Sequence, residues 1–257
     1  MSAGLTTAKL DAFFKSFLEI ESFASTDKSL NGIQVDNDGS IVRKVVFAVD
    51  AAMETFEQAA VKNAGMIFVH HGLFWGDPAK LTGTLRQRVK FLLDHNICLY
   101  AVHLPLDQHP KMGNNAALAE LLALENIEPF GDYHGRKIGY KGTFAKPVTT
   151  EDVVKKISFM GRPPQGIFPF GKKESSTAAV VSGGAAQIVL EAIEEGIDLF
   201  VTGESSHSIY HHCLEGKINM IAGGHYSTET WGLQAVMRHC KAELGVELEF
   251  IDVPTGL

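Results

Sequence analysis

The chain opens with the stretch TTAKLDAFFKSFLEI, in which Leu10, Phe13, Phe14, Phe17 and Leu18 recur at i, i+3, i+4, i+7 and i+8. That spacing predicts an amphipathic helix with Thr6 or Thr7 as its N-cap. NGIQVDNDG (31–39) reads as turn residues, and KVVFAVD (44–50) as a continuously apolar, β-branched strand of the kind buried on both faces. The pattern continues with a helix over about 52–64, the strand MIFVHH, a loop carrying Gly76, Pro78 and Gly83, a helix over about 85–95, and the strand ICLYAVH. Further on, TTEDVVKKI (149–157) has a threonine cap and early acidic residues, which predict another amphipathic helix. GRPPQGIFPFG (161–171) reads as an exposed loop, either plain surface or an excursion at the rim of a site. Alternating strands and helices predict an α/β fold.

The pattern also repeats. VVFAVDAAMETFEQAAVKNAGMIFVHHG (45–72) is matched by AAVVSGGAAQIVLEAIEEGIDLFVTGE (178–204) as strand, sharp turn, helix and strand, with Phe68 and Phe200 standing 132 residues apart. Each unit leads to a further strand that ends in AVHLPLD (101–107) or GGHYSTE (223–229). A shared βαβ framework accounts for the matching apolar positions, but not for a histidine and a carboxylate recurring as His103-x-x-x-Asp107 and His225-x-x-x-Glu229. An internal duplication is therefore expected.

Composition narrows the function. With 45% hydrophobic and 21% charged residues, the 257-residue chain is an ordinary globular protein that can bury a sizeable core. A net charge of −7 disfavours nucleic acid as a partner, because neutralising phosphates needs a surplus of lysine and arginine. Cys98, Cys213 and Cys240 show no Cys-x-x-Cys spacing, which points to reduced thiols and excludes a zinc ribbon. No targeting segment or membrane-length apolar window stands out, so a cytoplasmic protein away from membranes is expected.

In parallel α/β sheets, ligands collect beyond the carboxyl ends of the strands. Four such ends carry His70 and His71, then His103 with Asp107, then Glu204 after Gly203, and then His225 with Glu229. Imidazoles and carboxylates form the donor set preferred by zinc, iron, manganese and nickel. Adjacent histidines splay apart along a strand and can serve two ions, and a carboxylate can bridge them. Taken singly, each residue has a plainer reading: Asp107 as a turn cap before Pro110, Glu229 as a complement to a helix N-terminus. Taken together in a doubled frame, they read as a metal site. His207 and His211 lie at i, i+4 but lack the glutamate of a metalloprotease helix, and with His212 they read as surface or supporting residues. His95, His109, His134 and His239 have no partner pattern and read as surface or capping residues. The turn SGG (182–184) reads first as a tight βα turn and second as a phosphate cradle.

With these motifs in place, the sequence resembles the NIF-three-like, or GTP cyclohydrolase type two homologue, family of dinuclear metal proteins. The resemblance rests on NGIQV (31–35), VHHGLFW (69–75), HLPLD (103–107), VTGE (201–204) and GGHYSTE (223–229), in that order along nearly the whole chain. It implies metal ligands His70, His71, Asp107, His225 and Glu229, with Glu229 bridging two divalent ions. It also implies two similar intertwined lobes with mixed sheets flanked by helices, and a toroidal homo-hexamer. The expected division is 1–125 with 220–257 as a metal-bearing lobe and 126–219 as a second lobe. The sequence departs from the family where HLPLD stands in place of His-Thr-Asn-x-Asp, and where Tyr226 replaces a second histidine. Neither departure touches a ligand position, but both could tune metal choice through the surrounding hydrogen bonds. The expected function is a metal-dependent hydrolase acting on a small, nucleotide-like substrate, in the manner of a GTP cyclohydrolase. The other reading is a non-catalytic metal-binding, metal-delivery or regulatory ring. In the hydrolase reading, His103 and Glu204 either shuttle the proton or orient ligands.

Overall fold

The computed structural model describes residues 4–158 and 161–257. They form two compact units, the first from Met1–Leu106 and Leu233–Val253, the second from Asp107–Gly232 and Pro254–Leu257. The chain thus leaves the first unit for the second, returns to it, and ends in the second. These bounds differ from the expected 1–125 with 220–257 and 126–219, because residues 107–125, 220–232 and 254–257 group with the second unit.

In chain order the first unit contains α1 (Thr7–Phe17), β1 (Gly32–Val35), β2 (Lys44–Asp50), α2 (Met53–Val61), β3 (Met66–His71), α3 (Gly83–Asp94) and β4 (Cys98–Ala101), and it closes with β11 (Glu247–Phe250). Its five-stranded sheet has the order β1-β4-β3-β2-β11, parallel throughout except for β1. β2 and β3 are buried on both faces, which explains why they show no alternation. One face packs Val46, Ile67, Val69 and Leu99 against Phe56 of α2 and Leu92 of α3. On the other face Phe14 of α1 meets Phe68 and Tyr100 at ring distances of 4.8 and 5.1 Å. Thr6 caps α1 by accepting the Lys9 N–H at 3.3 Å, as its position predicts.

NGIQV was expected to be a turn, but Gly32–Val35 is a strand, antiparallel to β4. The turn is confined to the residues after it, where Asn37, Asp38 and Ser40 bond to one another.

The second unit contains α5 (Asn114–Leu122), β5 (Leu124–Tyr133), β6 (Arg136–Thr149), α6 (Thr150–Ile157), β7 (Gly166–Pro169), β8 (Glu174–Val181), α7 (Val189–Glu194), β9 (Leu199–Thr202), α8 (Tyr210–Gly216), β10 (Asn219–Ala222) and α9 (His225–Thr228). Two helices, α4 (Leu104–Gln108) and α10 (Thr230–Glu243), include the residues where the chain passes from one unit to the other. The six strands run β5-β6-β8-β9-β10-β7, with β8, β9 and β10 parallel and the rest antiparallel. α5 and α6 cover one face through Leu118, Leu122, Val153 and Ile157. α6 is capped by Thr149, which accepts the Asp152 N–H at 3.2 Å.

Two features of this unit correct the sequence reading. The stretch before TTEDVVKKI, to which the sequence pattern assigns no element, is the long hairpin β5–β6, which turns at His134 and Gly135 with φ of 52° and 83°. Part of the expected loop 161–171 is β7, an edge strand on β10 that carries Pro169 where edge strands tolerate it.

The two sheets share a core topology, in line with the repeat. Phe47 pairs with Phe68 in one, and Ala179 with Phe200 in the other, and both pairs are related by the same 132-residue offset. Each parallel core is flanked by an antiparallel strand, β1 beside β4 and β7 beside β10. Among the described residues, no helix is long and apolar enough to cross a membrane.

Candidate metal centre

In the first unit, β3 ends in His70 and His71. His70 is fully buried, and its Nδ1 lies 3.0 Å from the Val102 carbonyl, so the ring donates there. His71 Nδ1 lies 2.8 Å from Asp50 Oδ1 at the end of β2. His103, just beyond β4, has its Nδ1 2.9 Å from Asp27 Oδ1. The three imidazoles each bring a ring nitrogen within 4.8 Å of the others.

The surrounding residues fix this cluster from several directions. Asp27, with its side chain only 2% exposed, also accepts N–H groups from Ser29, Leu104 and the Asn31 amide, each at 2.9 Å. Burial would raise its pKa, but the His103 contact and these donors prevail and hold the carboxyl below its ordinary range. Asn31 also accepts the His103 backbone N–H at 2.8 Å. Gln34 Oε1 accepts the N–H groups of Leu73 and Phe74, and its amide donates to the carbonyls of Leu30 and Phe74. A side chain at Gly72 would strike Gln34 at 2.4 Å, so glycine lets the chain turn tightly after the histidine pair.

In the second unit, His225 and Glu229 sit at the two ends of α9 with Nε2 and Oε1 3.1 Å apart, and Glu204 Oε1 lies 2.6 Å from His225 Nδ1. Burial lowers the pKa of His225, but Glu229 and Glu204 outweigh it and lift the imidazole to about 9. Asp107, on α4, is 6% exposed, and its Oδ1 accepts Asn114 Nδ2 at 2.9 Å and Ser182 Oγ at 3.0 Å. An oxygen of Asp107 lies within 4.8 Å of one of Glu229.

The SGG turn shapes this cluster. A Cβ on Gly183, whose φ is +68°, would stand 2.3 Å from Glu229 Oε1, and one on Gly203 would stand 2.7 Å from His225 Cα. The Gly183 N–H donates to Thr228 Oγ1, and its carbonyl accepts from Gly203 and Glu204. The turn therefore cradles the His225–Glu229 pair with its glycines, and the phosphate-cradle reading loses the Gly183 amide.

The donor set fits a divalent metal. All four histidines have Nδ1 tied to an oxygen acceptor, so a ring carrying a single proton keeps it there and presents its lone pair on Nε2, the arrangement of a ligating imidazole. The other histidines are elsewhere. His207, His211 and His212 are exposed, with His207 in a 3-10 turn rather than on the helix of His211. His95 is exposed, His109 Nδ1 caps a turn by accepting from Lys111 and Met112, and His239 stacks on Phe17 at 4.4 Å. Sequence reading overlooked Asp27, Asn31, Gln34 and Asp50 in the first unit and Asn114, Ser182 and Thr228 in the second. Several of these stand in stretches the pattern does single out, Asn31 and Gln34 in NGIQV, Asp50 in KVVFAVD, Ser182 in SGG and Thr228 in GGHYSTE, but nothing local marks them as partners of the ligands.

A model of the DUF34/NIF3 (NGG1p interacting factor 3) family matches residues 5–256. A Treponema pallidum (strain Nichols) protein named GTP cyclohydrolase 1 type 2 homolog is 42% identical, over 98% of this chain and 100% of its own length. A Pyrococcus horikoshii protein of the same name is 44% identical, over 96% and 97%. The crystal structure of TTHA1606 from Thermus thermophilus superposes with a TM-score of 0.90 at 35% identity, covering 98% of this chain and 100% of that one.

Proposed function

The chain belongs to the DUF34/NIF3 family, and from that premise we propose that it is a metal-dependent hydrolase that holds two divalent ions, drawn from zinc, iron, manganese or nickel, and acts on a small nucleotide-like substrate. Within the first unit the proposed donors are His70 and His71, and within the second they are Asp107, His225 and Glu229. The observation that carries the reading is the Nδ1 anchoring common to the imidazoles of each unit, together with the two buried carboxylates, Asp107 and Glu229, of the second. The name shared by the Treponema and Pyrococcus relatives supports a nucleotide substrate. In keeping with the family resemblance, the protein works as a cytoplasmic homo-hexamer.

When bound, divalent metal supplies Lewis acidity and brings the pKa of water down to about 7. The chain's own groups do the rest. His103, fixed by Asp27 at Nδ1 and by Asn31 at its backbone, accepts and returns a proton at Nε2. Asp50 and Glu204 orient His71 and His225 and make them stronger donors. Gly183 and Gly203 leave room for Glu229 and His225.

A second reading, a ring that stores or delivers metal without turnover, draws on the burial of the donors, since His70, Asp107 and Glu229 are 0%, 6% and 3% exposed. One experiment addresses both. Metal content by mass spectrometry and hydrolysis of a panel of nucleotides and phosphoesters are measured for the wild type and for Glu229→Gln. The hydrolase reading expects turnover by the wild type, with metal and activity lost together in the variant. Metal that exchanges reversibly without turnover would favour the storage reading. Full activity in metal-free protein would refute both.

A further inference from the structure

We propose that Trp75 is a stacking platform for a planar heteroaromatic ring, so that the substrate of the proposed hydrolase carries a nucleobase or a similar ring; the inference rests on that reading and deepens it. Trp75 ends the motif that begins with the histidine pair, and its ring lies 4.9 Å from His103 and 6.2 Å from His71. The indole plane stands at 78° to that of His103, so the two rings are not stacked on one another.

The loop that carries it is fixed before any ligand arrives. Gln34 makes three hydrogen bonds to the backbone of Leu73 and Phe74, and both of those side chains pack on the hydrophobic core. Trp75 is the side chain of this loop that the core does not take up, and it remains partly exposed. Its one polar group is already spent, because Nε1–H donates to the Gly72 carbonyl at 3.2 Å. What it offers a ligand is the exposed part of an apolar π surface near the imidazoles of His71 and His103. A flat ring gains most from such a surface, since stacking needs no directional hydrogen bond and the platform loses little entropy on binding. A sugar phosphate without a base gains almost nothing from it.

The test uses the full-length metal-loaded protein, with guanosine monophosphate and ribose 5-phosphate as probes, against wild type, Trp75→Phe and Trp75→Ala. Indole fluorescence and equilibrium dialysis read binding, and mass spectrometry reads metal content. The proposal expects the nucleotide to quench wild-type fluorescence and ribose 5-phosphate not to do so. Affinity for the nucleotide should fall about tenfold or more in Trp75→Ala and only a few-fold in Trp75→Phe, which keeps an aromatic face. Metal content should be the same in all three proteins. Equal binding of the two probes, or undiminished nucleotide binding by Trp75→Ala, would overturn the proposal. So would loss of metal from Trp75→Ala, which would make Trp75 a support of the ligand set. The two readings fail separately: a wild type that holds metal but binds no nucleotide sinks the platform and leaves the metal centre standing, and one that binds the nucleotide at Trp75 without holding metal sinks the metal centre and leaves the platform standing.

Discussion

Asp27→Asn is a nearly isosteric change at the residue on which the orientation of His103 depends. In the wild type, Oδ1 accepts from Ser29 N and faces His103 Nδ1, while Oδ2 accepts from Leu104 N and Asn31 Nδ2. An amide must place its NH2 on one side or the other. If NH2 takes the Oδ2 position, two N–H donors confront it and both bonds are lost. If it takes the Oδ1 position, Ser29 loses its acceptor, and His103 keeps a bond only by accepting at Nδ1 and moving its proton to Nε2. Each buried donor left unsatisfied costs about 1–3 kcal/mol. The side chain is 2% exposed, so water cannot repair the loss, and about 2–4 kcal/mol of stability should go. Urea unfolding at neutral pH measures the stability, and nitrogen NMR of the imidazole reads the tautomer. A variant within about 0.5 kcal/mol of wild type, with the His103 proton still on Nδ1, would refute this account of the dyad.

The acid limb of stability tests the same residue. The folded pKa of Asp27 is held below its ordinary value, because the His103 contact and the N–H donors outweigh the burial that opposes ionisation. A depressed carboxylate contributes stability that is fully present above the unfolded pKa, about 3.9, and is lost as pH falls through the folded value. The loss of stability on going from neutral pH to below 4 should therefore be shallower in Asp27→Asn than in the wild type. Parallel limbs would mean that Asp27 is not ionised in the fold.

Three further outcomes follow from the geometry. Gly183→Ala should lose most of its bound metal, because its Cβ would lie 2.3 Å from Glu229 Oε1 at a φ of +68° that L side chains rarely adopt; full metal stoichiometry in a folded variant would contradict the cradle. Asp198→Asn should lose about 1–3 kcal/mol in denaturant unfolding, since the 7%-exposed carboxylate accepts from Ser176 N and Thr177 N and pairs with Lys172 at 2.7 Å; an unchanged midpoint would deny that network its weight. Chelation should lower the melting temperature, because a ligand present at 100 times its Kd stabilises the folded state by about 2.7 kcal/mol; identical melting with and without chelator would argue against a metal held by the native state.

The parts of the fold legible in the sequence are those where one local pattern decides the outcome. β2, β3, β9 and the second half of β8 are short apolar runs, and burial on both faces leaves them no other use. The hairpin β5–β6 was obscure because Gly139 and Gly142 interrupt the alternation along β6. Those glycines are required by close approach: a Cβ on Gly139 would stand 2.3 Å from the Val180 carbonyl, and one on Gly142 would stand 2.7 Å from that of Glu125. β1 was hidden by the Asn-Gly that opens it, although Asn31 serves Asp27 and His103 rather than a hairpin. The site divides in the same way. The histidines and acids that gather in each unit stand in motifs at strand ends, where the spacing is visible. Asp27 and Asp50 stand 76 and 21 residues from the rings they orient, and no periodicity connects them.

The repeat shows what the scaffold preserves at its strand ends. His103 lies just beyond β4 and His225 just beyond β10, the matching strands of the two sheets, and in each case Nδ1 meets a carboxylate. The carboxylates come from different places: Asp27 precedes β1, whereas Glu204 follows β9. A duplicated backbone alone would carry the histidines but would not supply their partners from unrelated segments. The shared feature is a chemical constraint on the ring, met twice by separate routes, and such a constraint has value only if Nε2 must present a lone pair in a fixed direction. Where the constraint is absent, as at exposed His211 and His212, the neighbouring histidines form no cluster among the described residues. Glu204→Gln should therefore weaken metal binding through His225 by about 10- to 100-fold with little change in unfolding, the mark of an orienting partner. A large loss of stability with unchanged metal affinity would instead make Glu204 part of the framework.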